Sequence, residues 1–533
     1  MFKVLVSDPI SDQGIQQLHE AGDIAVDKRT GLSEDELVGI IGEYDALLVR
    51  SQTKVTKRIM DAGTRLKVIG RAGVGVDNID LEAATQRGIV VVNAPDGNTI
   101  STCEHTFAMI MACARMIPQA YAKTVSGEWD RKSFVGVELR NKMLGVIGMG
   151  RIGSEVAKRA KAFGMKVIGY DPFLTEERAE KLGVRLGTVD DVVAAADFIT
   201  VHTPLTKETR HMISRPQFAK MKKGVRIINC ARGGIIDEQA LLEALDAGIV
   251  AGAAFDVFEE EPPAADHPFL HHPKIIVTPH LGASTIEAQE NVAVDVSEEV
   301  LHILRGEPFK NAVNMPPVAP DVLKRLQPYF ALGEKLGSFV AQMNEQPIKQ
   351  IAIDFSGELA EVDTSQLVRY IVKGFLSRHF ADEVNVVNSL HLAKTRDVQI
   401  VRQKSTTTKG FTNLITVSVN TGSEERMVAG TLLNGYGARV VDINRYPVDI
   451  APEGNLLLIS HRDRPGIIGR LGTLLGNNDI NIATMQVGRR EFGGDAIMVL
   501  AVDKPVPQSV RDEILQLADI HQVREINLAD VPR

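Results

Sequence analysis

The sequence predicts an α/β protein with two doubly wound, Rossmann-like parallel-sheet units, followed by an α+β region and a small ferredoxin-like unit. Three observations predict it. Short apolar runs alternate with helical patterns over about the first 310 residues, as βαβ units require. The series restarts near residue 143, which implies two sheets rather than one. The last 80 residues or so read β-α-β-β-α-β. With 533 residues and about 150 per domain, three or four such units fit.

The elements follow in order. "KVLVSD", "DALLVR", "LKVIGRAG" and "GIVVVNAP" read as strands, with helical stretches such as 33–41 between them. A long helix is expected from Ser101 to Met116, with Thr99 or Ser101 as its N-cap. The second series runs "MLGVIGMG", "KVIGYD", "FITVHTP", "VRIINCAR", "GAAFDVF" and "IIVTPH", and a helical pattern from Thr285 to about Leu304 closes it. "NMPPVAP" is a proline-dense break and an expected boundary. Beyond it, strand-like runs such as "LITVSVN" carry no catalytic motif. In the terminal unit, "NLLLISH" precedes the helix "PGIIGRLGTLLG"; two strands, a helix from about Val506 and a last strand near "VREINL" follow.

Composition narrows the function classes. A net charge of −8 argues against a general nucleic-acid binder and leaves room for a local basic pocket. The three cysteines, Cys103, Cys113 and Cys230, are scattered and fit neither a disulfide framework nor a metal knuckle. No metal site is expected, and a cytoplasmic location is. "MFKVLVSD" reads as a first strand rather than a signal peptide, and "FAMIMACA" is too short to span a bilayer, so no membrane association is expected.

"GVIGMGRIGSEVAKRAKAFG" follows a strand and opens a helix. Gly148 allows the tight turn, Gly150 lets the backbone approach a pyrophosphate, and Gly153 lets helix and strand pack closely. The helix N-terminus then offers free N–H groups to phosphates. Asp171 ends the next strand, where a carboxylate accepts from ribose hydroxyls and repels a 2′-phosphate. The expected cofactor is therefore NAD.

Ligands of a doubly wound sheet sit at the carboxyl ends of its strands. Arg232, Glu261 and His280 occupy three such ends. A guanidinium clamps a carboxylate or polarises a carbonyl. An imidazole carries a proton to or from an alcohol, and a carboxylate orients it. Singly each has a plainer role: an ion-pair partner for Arg232, a solvated acidic loop for Glu261, a helix cap for His280. Together, downstream of a dinucleotide loop, they suffice for alcohol oxidation by hydride transfer. For the substrate, the amides of Gly73, Val74 and Gly75 in "GRAGVGVDN" can form a nest for a carboxylate. Arg50, Ser51 and Thr53 in "LLVRSQTK" suit a phosphate. Arg131 and Lys132 in "WDRKSF" are either a solvated turn or a contribution to a neighbouring subunit.

"GRAGVGVDNID", "GMGRIG", "YDP", "VHTPLT", "NCARGGIIDEQAL", "DVFEEEPP" and "PHLGAST" together resemble the D-isomer-specific 2-hydroxyacid dehydrogenases, in their long form with an intervening domain and an ACT domain. The resemblance implies that Arg232, Glu261 and His280 are catalytic, with His280 the proton carrier. It implies NAD contacts from Val74, Arg151, Ile152, Asp171, Thr203, Cys230, Ala231, Asp256 and the segment His280 to Ala283, Gly282 included. It implies a substrate domain of residues 1–98 and 284–314 interrupted by an NAD domain of 99–283, then an intervening domain of 318–452 and an ACT domain of 455–533.

The implied reaction is oxidation of 3-phosphoglycerate to 3-phosphonooxypyruvate, the first step of serine biosynthesis, in a homodimer or homotetramer. Glyoxylate or hydroxypyruvate reduction and NADH sensing by a corepressor-like regulator are the alternatives. "HRDRPGIIGRLGTLLGNNDINIATMQVGR" resembles the ACT module and implies L-serine as effector. There Asp463 precedes a helix that Pro465 can start, and Asn481 is expected to close the site from the next strand. For the intervening domain the resemblance admits a further anion site, with Lys404, Lys409 and Arg439 as basic residues that nothing in the sequence selects.

Overall fold

The computed structural model describes residues 1–316, 318–380, 383–406 and 410–528. Its first sheet is parallel and holds β1 (Phe2–Val6), β2 (Ile24–Lys28), β3 (Ala46–Val49), β4 (Val68–Arg71) and β5 (Val90–Asn93) in the order β2-β1-β3-β4-β5. The second is also parallel. It holds β6 (Met143–Ile147), β7 (Lys166–Tyr170), β8 (Arg185–Leu186), β9 (Phe198–Val201), β10 (Val225–Asn229), β11 (Val250–Phe255) and β12 (Ile275–Val277), ordered β12-β11-β10-β9-β6-β7-β8. All four residues of β3 and of β9 are buried, because helices cover both faces of each sheet. The second strand and the short β8 are absent from the sequence reading; β2 is half exposed and β8 wholly so, and neither shows the apolar run of a central strand.

Helix Glu34–Ile40 begins at a capping box between Ser33 and Glu36. The long helix is Thr99–Arg115, and neither expected cap holds: Asn98 occupies the cap position without a side-chain bond, and the Ser101 hydroxyl instead meets Thr285 at 2.6 Å. Thr285 caps the helix Ile286–Arg305. That helix returns to the first sheet, burying Val292, Ala293, Val296, Val300 and Leu304 at helical spacing against it. Gly70 of β4 makes room, since a Cβ there would lie 2.9 Å from Val296. The chain therefore crosses between the two sheets twice, near residues 98 and 284.

The third sheet is mixed: β13 (Gln350–Gly357), β14 (Gln399–Ser405), β15 (Asn413–Asn420), β16 (Glu425–Leu433), β17 (Gly437–Ile443) and β18 (Tyr446–Ile450), ordered β14-β13-β15-β16-β17-β18, with only β13 and β14 parallel. The fourth is antiparallel, β20-β21-β19-β22, from β19 (Asn455–Arg462), β20 (Ile482–Arg489), β21 (Asp495–Val502) and β22 (Ile520–Asn527). Strand β19 shows why these two regions adhere. Leu457 and Ile459 face the helices of the terminal unit, whereas Leu456 and Leu458 join the core of the mixed region. Alternating faces thus belong to different cores. The mixed region also touches the first sheet's unit, where Asn385 Nδ2 donates to Gly88 O at 2.7 Å.

Candidate active site

The order of the second sheet reverses between β6 and β9, and the dinucleotide loop lies at the carboxyl ends of those two strands. Gly148 adopts φ +95, and a Cβ there would press within 2.7 Å of the His202 backbone. A Cβ on Gly153 would lie 2.0 Å from Gly148 O, so the helix Arg151–Ala162 approaches its strand at a distance only glycine permits. Beside Gly150 the space is open, as approach by a pyrophosphate requires. Asp171 holds the loop by accepting from Met149 N at 2.9 Å and Phe173 N at 2.8 Å. Arg151 forms an ion pair with Asp96. The Thr203 hydroxyl is buried without a partner, an orphan that a dinucleotide at this loop would satisfy. Ile152 packs on the core beneath the loop, and burial pushes the Cys230 thiol well up. These residues fit NAD.

Arg232, Glu261 and His280 all follow strands of the second sheet. His280 Nδ1 and Glu261 Oε2 are 2.7 Å apart. Glu261 Oε1 accepts from Phe258 N at 3.1 Å. Burial raises the Glu261 carboxyl, but the bond and charge of His280, the Phe258 N–H and the field of Arg232 outweigh it, so the group lies below the ordinary range. His280 sits at φ +56, between two residues held by one carboxylate. Asp256 is fully buried and accepts from Thr278 Oγ1 at 2.6 Å, Leu281 N at 2.8 Å and Gly282 N at 2.9 Å. His105, from the helix between the sheets, reaches the same carboxylate at 3.1 Å. Asp256 thus shapes the loop that carries His280, and Ala283 ends that loop.

Arg232 bridges the two sheets. Its Nε donates to Asp77 Oδ2 at 3.0 Å and its Nη1 to Ala231 O at 2.7 Å, while Asn229 Nδ2 donates to Arg232 O at 2.9 Å. A Cβ on Gly75 would lie 1.9 Å from Arg232 Nη2, so the glycine loop of the first sheet meets the guanidinium directly. Val74 O accepts from Asn93 Nδ2 at 2.5 Å. On the first sheet, Asp8 accepts from Arg50 N at 2.6 Å and Thr53 N at 3.2 Å, which fixes the loop after β3; Ser51 is exposed there.

Sequence reasoning missed Arg71, the last residue of β4. Its Nη1 lies where a Gly73 Cβ would be, at 1.5 Å, and its Nε is shielded and unpartnered. Burial, then the neighbouring charges of Arg232 and Arg50, push its guanidinium down to about 10. The available signal was the one that singled out Arg232: a guanidinium at the end of an apolar strand.

In the terminal unit Asp463 precedes the helix Ile467–Asn477, which begins after Gly466, at φ +89, rather than at Pro465; the Asp463 carboxylate pairs with Arg489 at 3.3 Å. Asn481 stands apart from Asp463 within one chain. It donates to Asp503 Oδ2 at 2.8 Å, at the other end of the sheet. Strand β20 runs parallel to β19 with β21 between, so the two residues stand roughly 25 Å apart within one chain. In the mixed region Lys404 donates to Val362 O and Arg439 to Asp449, and Lys409 lies outside the described residues.

Three family models match: the D-isomer specific 2-hydroxyacid dehydrogenase NAD binding domain over residues 107–282, the D-3-phosphoglycerate dehydrogenase intervening domain over 325–444, and the ACT domain over 455–519. The D-3-phosphoglycerate dehydrogenase of Bacillus subtilis (strain 168) is 50% identical over 99% of this chain and 100% of its own length. The chain belongs to the D-3-phosphoglycerate dehydrogenase family. Another member, from Methanocaldococcus jannaschii, is 47% identical over 99% of this chain and 100% of its own. Among solved structures, D-lactate dehydrogenase from Aquifex aeolicus complexed with NAD and lactic acid matches with TM-score 0.51 and 31% identity, covering 57% of this chain and 96% of that one. The apo D-lactate dehydrogenase of Escherichia coli matches with TM-score 0.52 and 27% identity, over 58% and 99%. The family's second sheet is an NAD-binding domain, in keeping with the loop geometry. No helix among the described residues is long and apolar enough to cross a membrane.

Proposed function

We propose that the protein oxidises 3-phosphoglycerate to 3-phosphonooxypyruvate with NAD, the opening reaction of serine synthesis. The observation that carries this is the 2.7 Å pairing of His280 with Glu261 on the same face as Arg232, which itself abuts the glycine loop of the other sheet. Arg232 clamps the substrate carboxylate together with the amides of Gly73 to Gly75. His280 takes the C2 hydroxyl proton at Nε2 as the carbonyl forms, while Nδ1–H stays on Glu261, whose negative charge offsets the imidazolium. Bound NAD supplies the acceptor for the C2 hydride. Arg50 and Ser51 receive the phosphate. Asp171 selects NAD over NADP through its charge.

The domain division that goes with this is 1–98 with 284–314 for substrate, 99–283 for NAD, 318–452 intervening and 455–533 regulatory, and the contacts of helix Ile286–Arg305 support it. We infer a homo-oligomer. Ile117, Tyr121 and Val125 share one exposed face of the helix Ile117–Val125, and Trp129, 82% exposed, extends it. A second copy seated there would bring exposed Arg131 and Lys132 with it. We place L-serine at Asp463; Asn481 reaches such a site only from another copy. Three buried, free cysteines suit a reducing cytoplasm.

The test is NADH formation from 3-phosphoglycerate, with D-glycerate as the unphosphorylated comparison and with L-serine titrated in. Equal turnover of both hydroxy acids would remove the phosphate from the reading. Serine without effect on the parent protein would remove the effector.

A further inference from the structure

We propose that Glu238 is a positioning residue for the hydride-transfer site: it holds the loop that carries Glu261, and through that loop it keeps the Glu261 carboxylate on His280. This rests on the proposed dehydrogenase reading and extends it.

The loop comes first. Glu261 lies beyond the end of β11 in a segment that forms neither helix nor strand. Such a segment has no ladder or helix bonds to fix it, so contacts from neighbouring elements must. The pairing of Glu261 with His280 depends on where that segment lies.

Glu238 supplies one of those contacts. It is the first residue of the helix Glu238–Asp246, on the stretch that begins with Arg232 after β10. Its Oε1 accepts from Glu259 N at 2.8 Å, two residues before Glu261. Its Oε2 lies 3.0 Å from His267 Nε2. His267 Nδ1 accepts from Phe269 N at 3.2 Å, so the ring proton is on Nε2 and faces Glu238. Two N–H donors thus converge on the two oxygens of one carboxylate, whose side chain is only 15% exposed. Only an ionised carboxylate accepts on both of two such oxygens.

The surrounding contacts fall on the same loop. His267 packs edge-on against the Phe258 ring, with centroids 5.5 Å apart, and Phe258 N is the donor that holds Glu261 Oε1. Glu259 Oε1 meets His211 Nε2 at 2.9 Å. Gly233 presses on the loop backbone, since a Cβ there would lie 1.7 Å from Phe258 O. The Arg232 segment therefore touches the Glu261 loop at Gly233 and again at Glu238, and ties two of the three catalytic strand ends together. Glu238 acts through the loop backbone. A displacement of about 1 Å opens the 2.7 Å contact between Glu261 and His280, and misplacements of that size cost up to about 100-fold in rate.

The experiment uses the full-length protein and NADH formation from 3-phosphoglycerate. Steady-state constants are measured for the parent, Glu238→Gln, Glu261→Gln and the double variant, with NADH affinity and thermal unfolding alongside. Gln at 238 keeps the shape and leaves one acceptor oxygen, so it holds the Glu259 N–H or the His267 N–H but not both. kcat should fall about tenfold in Glu238→Gln, while KM for 3-phosphoglycerate and NADH affinity stay within about twofold of the parent's. In the Glu261→Gln background the same replacement should cost about twofold or less, because the charge it positions is already gone. His267→Asn is the second variant: its side-chain oxygen can still accept from Phe269 N, and it no longer reaches Glu238. It should lower kcat in the same manner and by less, and it carries the test if Glu238→Gln does not fold.

A parent protein that forms no NADH from 3-phosphoglycerate would overturn the dehydrogenase reading. With an active parent, equal losses of kcat from Glu238→Gln in both backgrounds would overturn the positioning role alone, since a purely structural residue costs the same in each. So would a kcat within about twofold of the parent's, or a loss carried by KM.

Discussion

Replacing Glu261 with Gln removes the charge that faces His280. Glu261 Oε2 lies 2.7 Å from His280 Nδ1, and its other oxygen accepts from Phe258 N at 3.1 Å. Gln keeps the shape, removes the negative charge and leaves one acceptor oxygen, so it holds either the Phe258 N–H or His280 Nδ1–H but not both. When His280 takes a proton, two unit charges stand with centres about 4 Å apart, worth about 4 kcal/mol at an effective dielectric constant near 20. The two side chains are 48% and 37% exposed, so solvent screens the interaction. Halving it leaves about 2 kcal/mol. At about 1.4 kcal/mol per decade, kcat should fall about 30-fold. The assay is steady-state NADH formation at saturating 3-phosphoglycerate and NAD, repeated with C2-deuterated substrate. The isotope effect should rise as chemistry becomes limiting, while NADH affinity holds. A kcat within about threefold of the parent's would refute the charge-offset role of Glu261.

Asp256→Asn should lower Tm at neutral pH, because an amide cannot accept from all the donors that converge on Asp256. Burial raises this carboxyl, but bonds from His105, Thr278 and the Leu281 N–H hold it below its ordinary 3.8. Its stabilisation is therefore present above that value and lost as pH falls further, so the Tm gap to the parent should narrow on acidification; a gap unchanged down to about pH 3 would contradict this. Gly153→Ala places a Cβ 2.0 Å from Gly148 O, and overpacking of about 1–3 kcal/mol should weaken NADH binding by roughly tenfold or more in a fluorescence titration. Unaltered affinity would show that the loop yields without cost. Tyr121→Glu puts a charge on the exposed face of helix Ile117–Val125 and should shift sedimentation toward a smaller species; an unshifted profile would place the subunit contact elsewhere.

How much was legible follows from the range of each interaction. The alternation of strands and helices, the GxGxxG turn with Asp171, and the strand-end positions of Arg232, Glu261 and His280 are local patterns. They could be read because backbone geometry and strand polarity constrain them within a few residues. The partners of those residues could not. Asp77 and Arg232 are 155 positions apart, and His105 reaches Asp256 from a helix whose apolar pattern says nothing of a polar contact. The distance from Asn481 to Asp463 is another such case. Strand direction, a property of the whole sheet, sets the two residues at opposite ends within one chain.

By itself, then, the sequence determined the succession of units, the dinucleotide loop with its acidic terminus, and which residue types stand at the ends of buried strands. Only the tertiary structure decided which of them meet. The Rossmann loop is a single strand-turn-helix whose chemistry is complete within one segment. A cleft is made of loops from two sheets that the chain visits in alternation. Arg71 shows the difference most plainly: in sequence it ends an apolar strand, and only the structure adds its burial without a counter-charge, against glycines that leave it no other room.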